Sequence, residues 1–245
     1  MNQQLESHTV GQTLVLHLLP GALITAFYFL TAPLVMRAGY PGLMALLLAI
    51  LVILIPFELG YLLYQGYKQS GRFSLKGVVL YREPMPLWQY FIFVPLLLGW
   101  SVAAFGILVP VDDYFIGSIF SWLPDWSFPS NYLASLGQYP SSVLLITFLT
   151  GLALNGIAGP LVEELYFRGY LLPRIPASKR WAPLVNVILF SLYHFFSPWQ
   201  NITRIVAIIP MVYAVSWKRN IYLSIFTHCP LNTLGMVLTL GLVTQ

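Results

Sequence analysis

Long apolar runs separated by short polar stretches set the pattern of this chain. Runs of about 20 residues, enough to cross a bilayer as a helix, occupy roughly 14–36, 42–64, 87–109 and 221–243, and each predicts a transmembrane span. From 141 to 172 the chain is apolar for about 32 residues, which would be about 48 Å as one straight helix. Gly156, Gly159 and Pro160 offer a natural break, so the pattern predicts a kinked span or two helical pieces, with Glu163 and Glu164 on the second. Segments 183–196 and 205–217 are short, about 20 Å each if helical, and Ser197-Pro198-Trp199-Gln200-Asn201 separates them. They predict either short spans beside a thinned, hydrated region or a hairpin that does not fully cross.

Composition agrees with that reading. The chain is 58% hydrophobic and 8% charged, whereas soluble domains carry about a quarter charged residues. The expected fold is an all-α, polytopic transmembrane helical bundle of about seven spans. It forms one integral membrane domain over residues 1–245, with the chemistry concentrated in 141–243. No repeat, linker or low-complexity segment divides it.

Charge then orients the bundle. The formal net charge is only +4, and the basic residues sit in short loops: Lys68, Arg72, Lys76 and Arg82 in one, Arg174, Lys179 and Arg180 in another, Lys218 and Arg219 in a third. The 110–140 loop holds Asp112, Asp113 and Asp125 with no Lys or Arg, and its Trp122, Trp126, Phe128 and Tyr132 read as an interfacial cap. Placing the basic loops inside predicts a cytoplasmic N-terminus in a multi-pass protein of the plasma (cytoplasmic) membrane, with only Arg37 and Arg204 at the opposite face. These are topology signals, so no nucleic-acid partner is expected. Residues 1–13 contain no Lys or Arg, which argues for a retained first span over a cleaved signal peptide, and the lone Cys229 excludes an intrachain disulfide.

Against this background Glu163, Glu164 and Arg168 stand out. A charge at mid-bilayer costs roughly 2.5 to 3.5 kcal/mol on insertion scales, so three together need a reason. Successive helical residues point about 100° apart, so Glu163 and Glu164 are expected to serve different neighbours. Glu164, four residues before Arg168, is placed for an ion pair along one face. Glu163 shares its stripe with Phe167, lacks a local partner, and suits the part of a general base.

Two further polar points follow. His194 lies in Phe190-Ser191-Leu192-Tyr193-His194, and His228 with Asn232 faces one way near the start of the last span, where Pro230 removes the helical donor to the Phe226 carbonyl. At about 1.5 Å per residue from the basic loops, Glu163 lies about 14 Å deep, His194 and Asn232 about 17 Å, and His228 about 11 Å. A shared buried site is expected. Glu58 and His17 read as packing or interfacial groups, and Cys229 as a small apolar side chain.

The sequence has no His-Glu-x-x-His pair, no Gly-x-Ser-x-Gly nucleophile turn and no aspartate inside a span. Carboxylate-activated water remains: Glu163 takes its proton, His194 orients it, and His228 with Asn232 stabilises the oxyanion. Zinc held by Glu163, His194 and His228 is the competing arrangement, with no cofactor as the favoured expectation. A transporter fits poorly, because the polar residues form a single layer.

At these positions the chain resembles the CAAX protease and bacteriocin-processing (CPBP, or Abi) family of intramembrane proteases. Glu-Glu-x-x-x-Arg matches Glu163, Glu164 and Arg168; Phe-x-x-x-His matches Phe190 and His194; His-x-x-x-Asn matches His228 and Asn232. The match covers about 160–235, and Pro230 within the third motif departs from the family pattern. The resemblance implies a multi-helix membrane peptidase with the roles just given, although the family is also labelled metalloprotease. Membrane lipid and a membrane-embedded or lipidated peptide substrate are the implied partners. The alternative is a non-catalytic membrane regulator or a bacteriocin self-immunity protein of the same fold.

Overall fold

The computed structural model describes residues 6–178 and 180–243, so Lys179 of the second basic loop and residues 1–5 lie outside the described residues. The chain is helical throughout: α1 (Val10–Arg37), α2 (Leu43–Ser70), α3 (Leu87–Ile107), α4 (Val109–Ser118), α5 (Pro129–Ser135), α6 (Ser141–Arg174), α7 (Ala182–Tyr193), α8 (Asn201–Lys218) and α9 (Tyr222–Val243). Among the described residues α1, α2, α3 and α6 are long and apolar enough to cross a membrane, while α7 is a shorter apolar helix. The result is an all-α helical bundle of a membrane protein.

Helix α1 starts on a capping box, in which the Thr9 side chain accepts from the Gln12 amide and the Gln12 side chain accepts from the Thr9 amide. Helix α2 closes on Gly71, whose left-handed φ of 68° suits a residue without Cβ. The two ends of the bundle differ. At the basic end, loops bond directly to helices: His8 N–H to the Arg174 carbonyl and Leu80 N–H to that of Gly169, both 2.8 Å. Asn220 Nδ2 donates there to the Glu83 carbonyl at 2.8 Å and to the Tyr90 hydroxyl at 2.7 Å. The other end is covered by α4, α5 and their connections. Trp126 packs edge-on against Tyr28, and the Trp199 ring, in the α7–α8 connection, lies 5.3 Å from Phe128.

Of the two expected forms, a kinked span or two helical pieces, helix α6 is a single span. It runs unbroken for 34 residues, and Gly156, Gly159 and Pro160 lie inside it. Widened π-helical turns at Leu152–Ala158 and Glu164–Leu171 replace the break. The first of them precedes Pro160 and absorbs the loss of its amide donor, so the proline begins a fresh α-helical stretch and does not end the helix.

Candidate active site

Glu163 and Glu164 enter the bundle core from α6, where the second wide turn begins. Glu164 is fully buried, with Oε2 3.3 Å from Nε of the equally buried Arg168. The pair is close, but its geometry does not make a hydrogen bond, and the guanidinium instead lies over Phe190, with Cζ 3.9 Å from the ring centre. Phe190 on α7 also meets Phe167 and His194, each with ring centroids 4.9 Å away. The aromatic of the second motif is thus the wall between the ion pair and the second histidine.

His228 projects from α9 toward both glutamates. Its Nδ1 lies 2.8 Å from Glu164 Oε1 and its Nε2 3.9 Å from Glu163 Oε2. The expectation that adjacent glutamates must serve different neighbours therefore fails. An imidazole carries a nitrogen on each side of its ring, so one histidine seated over the helix reaches two successive residues. The Glu164 carboxylate accepts from Nδ1 and turns Nε2 toward Glu163.

His194 ends α7. Its Nδ1 lies 2.8 Å from the Phe190 carbonyl, which as an acceptor assigns the proton to Nδ1 and leaves Nε2 to accept. Asn232 Nδ2 donates to the Asn155 carbonyl at 3.1 Å. That carbonyl comes from the first wide turn of α6. Close packing holds it there, since a Cβ on Gly156 would sit 2.9 Å from Thr233 Oγ1 on α9.

A cavity of about 780 Å³ joins these pieces. Glu163, His194, His228 and Asn232 all line it, whereas Glu164 and Arg168 stand behind the wall. It extends to Trp126 and Tyr132 of the cap, away from the basic loops. Four residues separated by up to 69 positions in sequence thus share one space, in line with their similar depths.

Two residues that sequence reasoning did not assign to the site also reach it. Glu58 on α2 is fully buried, and Tyr193 Oη donates to its Oε1 at 2.9 Å; the same hydroxyl neighbours Glu163. Its signal was a lone carboxylate inside a span. Arg204, near the start of α8, lines the cavity too, and its signal was a cation inside an otherwise apolar segment. By contrast, His17 is a core residue: it is buried, with Nδ1 2.7 Å from the Thr13 carbonyl and Nε2 3.2 Å from Asn186 Nδ2. Cys229 Sγ lies 3.8 Å from the Ile157 carbonyl, a packing position.

Among the described residues no group of three or more His, Cys, Asp or Glu side chains is gathered to hold a metal. Of the zinc donors considered from sequence, His194 holds Nδ1 at the Phe190 carbonyl and His228 holds Nδ1 at Glu164, with His228 Nε2 3.9 Å from Glu163 Oε2.

Residues 143–234 match the family model described as Rce1-like, type II CAAX prenyl endopeptidase, a stretch that contains all three motifs. No curated protein and no solved structure matches the chain. Over its motif-bearing stretch from α6 to α9 the chain is thus similar to the Rce1-like CAAX proteases, which is consistent with a CPBP family intramembrane protease.

Proposed function

We propose that the protein is an intramembrane endopeptidase that hydrolyses a peptide bond with water activated by Glu163. The match to the Rce1-like family over residues 143–234 supports an intramembrane endopeptidase in general. The observation that carries the finer reading is the convergence of Glu163, His194, His228 and Asn232 on one cavity.

Water held by His194 Nε2 gives a proton to the Glu163 carboxylate as its oxygen attacks the scissile carbonyl carbon. The developing oxyanion takes hydrogen bonds from the second Nδ2 hydrogen of Asn232 and from His228 Nε2–H, with the imidazolium charge offset by Glu164 at Nδ1. When the tetrahedral intermediate collapses, the carbon–nitrogen bond breaks and Glu163 returns its proton to the leaving amine. No step passes through a metal. The substrate is a membrane-embedded or lipidated peptide, and the mostly apolar cavity wall reaching to the cap supports that choice.

The test is a purified Glu163→Gln variant assayed on a reporter peptide. Loss of a general base predicts a drop of roughly 10²- to 10⁴-fold in kcat with the fold intact. Wild-type cleavage by this variant would sink the mechanism. About one zinc per chain in active protein, with chelator loss and zinc restoration of activity, would overturn the metal-free route.

A further inference from the structure

Three buried arginines sit in the bundle, and their charges are handled differently. Arg168 is close to Glu164 and lies over Phe190. Arg174 stacks on Tyr170 at 4.1 Å and donates to its carbonyl. Arg204 has only neutral dipoles. Its Nη2 donates to Ser197 Oγ at 2.8 Å and Gln200 Oε1 at 3.3 Å, and Nη1 donates to the Ser191 carbonyl at 3.3 Å and Asn201 Oδ1 at 3.4 Å. The carboxylates that face it are Glu163 and Asp112, and among the described residues neither lies within the 4.0 Å of an ion pair. Asp112 is engaged by the Thr203 hydroxyl.

Capping α7 explains one of these bonds, since the Ser191 carbonyl belongs to the last turn of that helix. It does not explain a full charge held without a counter-ion on the wall of the cavity that contains Glu163 and His194. Desolvating an arginine is unfavourable unless an anion compensates it. Nε, moreover, has no hydrogen-bond partner among the described residues, so one of the five guanidinium N–H groups remains for an acceptor.

We propose that Arg204 is a carboxylate-binding subsite of this cavity, which selects peptides presenting a carboxylate close to the scissile bond. The proposal rests on the peptidase reading for the identity of the ligand, and it assigns Arg204 to substrate recognition without a chemical step. The carboxylate is either the peptide's own C-terminus or an acidic side chain; both offer an anionic oxygen that accepts from the free Nε–H in a charge-assisted hydrogen bond.

Binding separates this idea from catalysis. Full-length Glu163→Gln protein in nanodiscs is titrated with three fluorescent, N-acylated apolar peptides: one ending in a free carboxylate, one in an amide, and one amidated but carrying a glutamate. At least one carboxylate-bearing peptide should bind about tenfold or more tightly than the plain amide. Adding Arg204→Gln should erase that preference while leaving the amide's affinity unchanged, and Arg204→Lys should restore part of it. The peptide that binds more tightly identifies the source of the carboxylate. Equal binding of all three by the Arg204-containing protein overturns the proposal, as does an Arg204→Gln loss that is the same for acid and amide, which marks the residue as a helix cap alone. Because the ligand comparison is made within one protein, it stands even where the Arg204 variants fail to fold. Binding with the predicted preference, in a wild-type protein that cleaves nothing, would refute the peptidase reading and keep the subsite.

Discussion

Two glutamates adjacent on one helix meet opposite surroundings. Glu164 faces a sealed side of α6, with Arg168 at 3.3 Å and His228 Nδ1 at 2.8 Å. Glu163 faces a cavity and meets the same histidine only at 3.9 Å. The first carboxylate is matched by its neighbours, and the second opens on the cavity, where the proposed mechanism gives it the substrate. What distinguishes a structural charge from a chemical one here is the partner that the fold brings, since residue type and depth are the same.

The largest effects should separate these two sides. Replacing Arg168 with leucine leaves Glu164 as a buried charge without its cation, a loss on the order of 3–5 kcal/mol, read as a fall in unfolding temperature in detergent. Glu163→Gln, which keeps shape beside a cavity, should unfold within about 0.5 kcal/mol of wild type while losing roughly 10²- to 10⁴-fold in kcat. A stable Arg168→Leu together with an unstable Glu163→Gln would reverse the assignment of structural and chemical carboxylate.

Much of this division was legible in the chain. In a sequence this apolar each buried charge is an exception, so Glu163, Glu164, Arg168, His194, His228 and Asn232 could be picked out, and counting 1.5 Å per residue placed four of them at similar depth. The limits were set by contacts between distant segments. Nothing near Glu58 in sequence points to Tyr193, 135 residues later, and nothing near Arg204 shows that Asp112 is already engaged by Thr203. The shared histidine escaped for the same reason: helical angles give the direction of two glutamates but not the size and seat of the ring that answers them.

The unbroken α6 teaches the same point from the backbone and carries the next effect in size. Gly156 and Pro160 are local stop signals, yet packing against α9 and a widened turn override them. Gly156→Ala pushes a methyl to 2.9 Å from Thr233 Oγ1, and should cost about 1–3 kcal/mol of stability through overpacking. Because it also pushes Asn232 from the Asn155 carbonyl, kcat should fall while metal content and fold class stay unchanged. A Gly156→Ala protein with wild-type kcat and stability would show that the wide turn does not position the oxyanion side.

The smallest effect contrasts the site with the closed basic end of the bundle, outside the spans. His8 is half-buried against the Tyr170 ring, 5.5 Å between centroids, and burial followed by the nearby Arg174 charge lowers it from 6.5 to about 4. A histidine lowered in the folded state resists protonation that the unfolded chain accepts. Stability is therefore fully present above about pH 6.5 and declines as pH falls from there to about 4, below which this contribution is constant. With solvent screening at a half-exposed ring the loss should be on the order of 1 kcal/mol. His8→Phe keeps the ring contact and removes the proton site, so its unfolding temperature should fall less than that of wild type across this interval. If the two proteins lose stability in parallel between pH 6.5 and 4, the acid sensitivity of the fold lies elsewhere, and the buried carboxylates of α6 become its source.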